Sequence, residues 1–176
     1  LSSSDPEKVV SKLHELHREV DARTGPLTHL HKNRLQCKKG CFDCCVDHLT
    51  VFEIEAERIK RGSPHVLTMT PHPEGKCAFL NSHGACRVYE NRPYVCRTQG
   101  FPLRWLEEDE EEDALLEYRD ICPLNEEGDP LVELAEEHCW TLGAVEGQLA
   151  SLQIEFGGPA LKRVALRDLF HKPSGS

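Results

Sequence analysis

Between Pro6 and Ala22 the apolar residues Val9, Val10, Leu13, Leu16 and Val20 stand three and four positions apart, which predicts an amphipathic helix. Asp5 is its candidate N-cap, Pro6 opens the first turn and Glu7 sits beside it. Gly25-Pro26 is the predicted stop, with a second short helix from Leu27 to Leu35. The segment 37–45 shows no apolar period and reads as a loop. An extended piece over His48–Phe52 leads into a helix from Glu53 to Arg61, closed by Gly62, Ser63 and Pro64. Residues 62–76 hold three prolines and two glycines and form a connector. From Cys77 to Leu103 the punctuation leaves room for short strands or one helical turn. Leu115, Leu116, Tyr118 and Ile121 suggest a short strand returning to Cys122-Pro123. Leu131 to Phe156 is the longest helical pattern, stopped by Gly157-Gly158-Pro159, and Leu161 to Leu169 suggests a last short helix before a flexible tail at 171–176.

Neither a repeat nor a boundary divides the pattern, so residues 1–176 are expected to form a single domain. The expected fold is mainly α with irregular cysteine-rich loops and at most short strands, helices from both termini packing around a metal- or cluster-stapled centre. Composition adds a reason for the staple. Hydrophobic residues are 39% and aromatics 6% of 176 residues, a thin core that calls for a metal or disulfides. No apolar run approaches the roughly 20 residues of a membrane span, and the N-terminal residues lack a basic-then-apolar leader pattern.

The net charge of −9 is unevenly placed: Glu107–Asp113 is seven consecutive acids, whereas His29–Arg104 carries 12 Lys/Arg against 7 Asp/Glu. Residues 107–113 are expected to be a solvated loop. Without a basic helix or basic-aromatic interleaving, nucleic-acid binding is not expected.

Seven of nine cysteines fall between Cys37 and Cys96. An odd count without a leader disfavours a disulfide scaffold. The neighbours Cys44 and Cys45 would strain a mutual disulfide, yet both can serve a metal. Metal binding in a cytoplasmic setting is therefore the expectation. Cys37, Cys41, Cys44 and Cys45 form a C-x3-C-x2-C-C loop with Gly40 at its turn, and Cys77, Cys86 and Cys96 would close the site from the other side. Cys122 is a further candidate, whereas Cys139 lies in a helical pattern and reads as core. Lys38, Lys39, Arg87, Arg92 and Arg97 adjoin these cysteines and favour their thiolates. Arg92-Pro93 positions Cys96, with Arg92 either bracing the loop or touching a substrate, and Tyr89 reads as packing. Among ten histidines, His48 and His83 flank the cysteine loops and are the ligand candidates. His14 and His17 share a helix face and are expected in solvent.

C-x3-C-x2-C is also the spacing of radical S-adenosylmethionine enzymes. Here Asp43 stands where those enzymes usually place an aromatic residue, and no strand–helix alternation follows Cys44. The combined pattern Cys37, Cys41, Cys44, Cys45, then Cys77-x-Phe-Leu, Cys86-x-Val-Tyr89-x-x-Arg92-Pro93-x-x-Cys96-Arg97 and Cys122-Pro123 resembles the YkgJ-type CxxCxxCC cysteine-cluster family. The resemblance spans Cys37 to Leu103 plus Cys122-Pro123 and implies zinc or iron chelation. A similar pattern occurs in flagellin lysine methylases, which implies an iron–sulfur cluster or a chemical role in some relatives. Three readings follow. The first is a metal-binding chelator, redox or maturation factor, with a lean towards iron–sulfur because the sulfurs outnumber one zinc site. The second is a cluster-dependent enzyme with Arg92, Arg97 and Tyr89 at the cofactor's edge. The third is a zinc-stapled module that docks a protein partner. Oligomeric state stays open.

Overall fold

A computed structural model of the chain describes residues 5–38, 40–109 and 114–170. Lys39, most of the acidic run and the expected tail at 171–176 lie outside the described residues.

The first helix, α1 (Pro6–Leu30), starts as expected: the Asp5 carboxylate accepts the Glu7 N–H at 3.0 Å. It does not stop at Gly25-Pro26. Its buried stripe continues through Thr24 and Leu27, and that packing carries the helix past a proline ring that removes one hydrogen bond. His17 is not in solvent but 1% exposed. Strand β1 (Thr50–Phe52) runs into α2 (Glu53–Gly62), whose first turn is closed by the Glu55 carboxylate accepting the Phe52 N–H at 3.3 Å. A 3-10 turn at Tyr89–Asn91 precedes the short α3 (Tyr94–Thr98).

The remainder overturns the expectation of a mainly α protein with at most short strands: the fold is mixed α/β, about 47% helical and 15% strand, with two sheets. Strands β2 (Leu103–Asp109) and β3 (Ala114–Asp120) form an antiparallel ribbon of seven residues a side. Period-two alternation puts Trp105 opposite Tyr118, their rings stacked at 5.7 Å, and such cross-strand aromatic pairs stabilise a hairpin. Residues 107–109 thus belong to a strand rather than to a solvated loop. The predicted helix from Leu131 to Phe156 is also broken. Two 3-10 turns (Leu131–Glu133, Glu136–His138) lead to β4 (Trp140–Thr141), which joins β2 in parallel. Only then does α4 (Ala144–Gly157) begin, after Gly143 at φ 113°, a left-handed conformation that a helix interior does not tolerate. The last predicted helix is instead β5 (Arg163–Ala165), paired antiparallel with β1, followed by a 3-10 turn at Leu166–Leu169.

Two apolar cores result. One packs α1 against α2, α3 and α4 through Val9, Leu13, Leu16, Val20, Ile54, Tyr94, Trp140, Val145 and Leu149. The other joins Val51, Ala56, Ile59, Phe79, Val88, Leu166 and Phe170. Helix α2 contributes to both, and the cysteine loops hang from the segments around it.

Candidate metal centre

The cysteines come from loops that regular elements hold in place. Cys37 follows the end of α1, and the Cys41 and Cys45 amides donate to Lys38 O and Phe42 O at 2.9 Å each, closing two tight turns in succession. Gly40 has φ 90°, a backbone state open to glycine. The Cys77 N–H donates to Cys45 O at 2.9 Å, which joins the first loop directly to the second. Leu80 and Cys86 form a β-bridge that turns the second loop back on itself. Cys96 rides on α3, and Cys122 precedes the 3-10 turn Pro123–Asn125.

All nine cysteines are free thiols. Eight of them fall into two neighbourhoods that share Cys44. Cys37 lies within electrostatic reach of Cys41, Cys122 and Cys44. Cys45 lies within electrostatic reach of Cys44, Cys77 and Cys96, and Cys96 within reach of Cys77, Cys86 and Cys44. Among the described residues, no three Cys, His, Asp or Glu side chains stand close enough to one another to hold an ion. His48 and His83 are exposed beside these loops. Cys139 is buried elsewhere, its sulfur 3.9 Å from the Arg119 guanidinium.

Burial pushes the Cys37, Cys77, Cys86 and Cys96 thiols above the ordinary value. The Cys45 thiol donates to the Cys44 sulfur, which lowers Cys44 and raises Cys45. Lys76 favours a Cys44 thiolate, Arg167 and Arg87 favour one at Cys77, and Arg92 and Arg87 favour one at Cys86. A tetrathiolate site holding Zn²⁺ is negatively charged, so both donor type and cationic surroundings fit thiolate coordination of a metal.

Of the three residues expected at a cofactor's edge, Arg97 and Arg92 bond to neighbouring backbone and to Asp21, and Tyr89, expected as packing, is an exposed ring. Arg97 is buried, and its guanidinium reaches the Asp21 carboxylate, Arg92 O and Glu90 O. Arg92 lies 4.0 Å over the exposed Tyr89 ring, donates to Tyr89 O and approaches Asp21 at 3.6 Å.

Sequence reasoning missed the residues that hold the loops. Asn125 is fully buried: its Oδ1 accepts the Gln36 N–H at 2.8 Å, while its Nδ2 donates to Gly100 O at 2.8 Å and lies 3.5 Å from the Cys37 sulfur. Gly100, at φ 94°, leaves space for this, since a Cβ there would meet that sulfur at 2.7 Å. Glu55 accepts the Tyr94 N–H at 2.8 Å and so anchors the start of α3. Asp47 accepts from Gly75 N–H and Arg167, and these two bonds, in that order, hold its carboxyl below the usual value. Asp47 and Asn125 do sit two and three residues beyond a cysteine, but nothing in one sequence separates them from any other polar loop residue.

No helix among the described residues is long and apolar enough to cross a membrane. A family model described as "CxxCxxCC: Putative zinc- or iron-chelating domain" matches residues 36–123, half of the chain. No curated protein and no solved structure matches it. The matched span begins one residue before Cys37 and ends one residue after Cys122, so it takes in both neighbourhoods and leaves out Cys139. By that match the chain belongs to the CxxCxxCC family.

Proposed function

We propose that the protein binds iron, as an iron–sulfur cluster, through thiolates drawn from Cys37, Cys41, Cys44, Cys45, Cys77, Cys86, Cys96 and Cys122. One observation supports this reading above the others: eight free thiols from four chain segments gather in two adjoining neighbourhoods beside Lys76, Arg87, Arg92 and Arg167. A single zinc site uses four ligands, and twice that number of sulfurs suits a cluster or a pair of centres. Bound iron–sulfur supplies one-electron chemistry or a store of iron and sulfide. The chain's own part is to present the sulfurs, give up their protons and balance the charge with its arginines. Binding draws the thiols inward from their separate loops, and a reducing compartment such as the cytoplasm keeps them available.

A second reading, a zinc-stapled module that docks a protein, draws on the β2–β3 ribbon, whose Leu106, Leu115 and Tyr118 are exposed. Anaerobic purification with metal, labile-sulfide and absorption analysis separates the two. Iron with labile sulfide and broad visible absorption is the expected result. A colourless protein with stoichiometric zinc supports the second reading, and a protein that takes neither metal defeats both. Cys41→Ser is expected to lose metal, and Cys139→Ser to keep it. Equal loss in both variants overturns the division of the cysteines.

A further inference from the structure

We infer that Arg167, which lies in the chain beyond the family-matched span, is a positioning residue that sets the Cys45 and Cys77 donors against each other; this rests on the thiolate-chelation reading above. Its guanidinium makes four hydrogen bonds to the two cysteine loops. Nε donates to Asp47 Oδ1 at 2.6 Å, Nη1 to His72 O at 2.8 Å, and Nη2 to Lys76 O at 2.9 Å and Pro73 O at 3.3 Å. Asp47 is two residues past Cys45, and Lys76 immediately precedes Cys77. The other Asp47 oxygen accepts the Gly75 N–H at 2.8 Å, and the Cys77 N–H donates to Cys45 O at 2.9 Å. The loops are therefore joined by one direct backbone bond, by the Asp47 carboxylate and by the arginine that spans both.

Arg167 is itself fixed from behind. Strand β5 pairs with β1 in the register Thr50↔Ala165, Val51↔Val164, and the Leu166 N–H donates to Leu49 O at 3.0 Å. The guanidinium is thus delivered by the 3-10 turn Leu166–Leu169 that directly follows β5, with Leu166 and Phe170 buried on either side. Only a planar fork with several donors meets a carboxylate and three carbonyls at once; an ammonium reproduces the charge and not the geometry. Partners of this kind orient metal ligands, and losing one typically costs about 10- to 100-fold in metal affinity.

Competition titrations with zinc against a chromophoric chelator, and cobalt(II) titrations that read thiolate-to-metal charge transfer, test this on the full chain. Arg167→Ala and Arg167→Lys are both expected to weaken zinc binding by about 10- to 100-fold and to reduce the charge-transfer intensity per cobalt. Arg163→Ala, at the end of β5 opposite Phe52 where the side chain bonds Thr50 and neither cysteine loop, is expected to change neither. The lysine variant keeps the charge, so a merely electrostatic or general stabilising role predicts rescue, and rescue overturns the inference. Should Arg167→Ala fail to fold, Asp47→Asn carries the same measurement, since it is isosteric yet places an amide donor where one of the two carboxylate oxygens accepts from the Gly75 N–H or from Arg167. Wild-type protein that binds neither zinc nor cobalt through thiolates, and takes up no iron with labile sulfide, defeats the chelation reading. Wild-type binding matched by every Arg167 and Asp47 variant leaves chelation standing and defeats the clamp.

Discussion

At the scale of single residues, the side chains that do most are polar ones in apolar places. His17 lies on α1 among Val9, Leu13, Leu16 and Val20, its Nδ1 against the Arg58 guanidinium and its Nε2 3.6 Å from the Glu55 carboxylate. Burial holds its pKa below the ordinary 6.5 against the pull of the Glu55 carboxylate, which raises it, and Arg97 and Arg58 push it down further. Arg58, also buried, is itself pulled down to about 10. A histidine whose folded pKa is depressed leaves the unfolded chain with more bound protons just below pH 6.5. The stabilisation is in place above that value and is lost as pH falls through the folded pKa. Apo-protein stability is therefore expected to decline on acidification below pH 6.5, by up to about 1.4 kcal/mol per pH unit. His17→Gln should flatten that slope, as urea unfolding across pH 5 to 8 would read out. A slope unchanged by the substitution contradicts the assignment. The helical period identified the apolar stripe Val9, Val10, Leu13, Leu16 and Val20, but His17 was expected in solvent beside it. The period could not show that α2 would cover His17 and bring Glu55 and Arg58 to meet the imidazole.

Among the elements, α3 and the β2–β3 ribbon behave in opposite ways. The five residues of α3 are too few to hold a helix by themselves, so tertiary bonds fix the element that carries Cys96. The Tyr94 N–H donates to Glu55, its hydroxyl donates to Glu146 at 2.7 Å, and the Trp140 indole donates to that same hydroxyl at 2.8 Å. Glu55→Ala frees the Phe52 and Tyr94 N–H groups and leaves Arg58 with less compensation. It is expected to cost about 2–4 kcal/mol, whereas Leu115→Lys on the exposed ribbon should stay within about 0.5 kcal/mol of wild type. Chemical denaturation of the two variants side by side checks both figures, and comparable losses would mean the ribbon carries packing that its exposure does not show. These elements were unequally legible. The starts of α1 and α2 follow from Asp5, Pro6 and the apolar period, and the cysteine loops from their own spacing. Of the ribbon, β3 was legible as a short strand from Leu115, Leu116 and Tyr118, while β2 was hidden because its acids suggest solvent and its register depends on Trp105 meeting Tyr118. The β4 strand was hidden because Trp140 sits inside what reads as a helical period.

Across the whole molecule, the two cores explain what a bound metal is for. The α1–α4 core and the Val51–Phe170 core are separate clusters to which α2 contributes on both sides. The segments of Cys77, Cys86 and Cys96 reach the cores through Phe79, Val88 and Tyr94, whereas the first cysteine loop has little apolar burial of its own, with Cys37 and Cys44 exposed and Cys41 and Cys45 only partly covered. Such a loop contributes little to folding until something ties it down, and an ion held by its sulfurs and by those of the other segments ties together parts distant in sequence. A ligand that binds only the folded chain adds about 4.1 kcal/mol when its free concentration is 1,000 times Kd. Loading with iron under anaerobic conditions, or with zinc, is expected to raise the unfolding free energy by about that amount at that excess, and a strong chelator should remove the gain. Because burial raises the thiols of Cys37, Cys77, Cys86 and Cys96, these groups are protonated at neutral pH and each must release a proton to bind. The gain should therefore shrink as pH falls, and metal uptake should release protons into a weakly buffered solution. Cys41→Ser should lose most of the increment, and Cys139→Ser should retain it. If metal leaves the unfolding midpoint unmoved while still binding, the cysteine loops are an appendage on an already stable scaffold, and the two cores hold together without a staple.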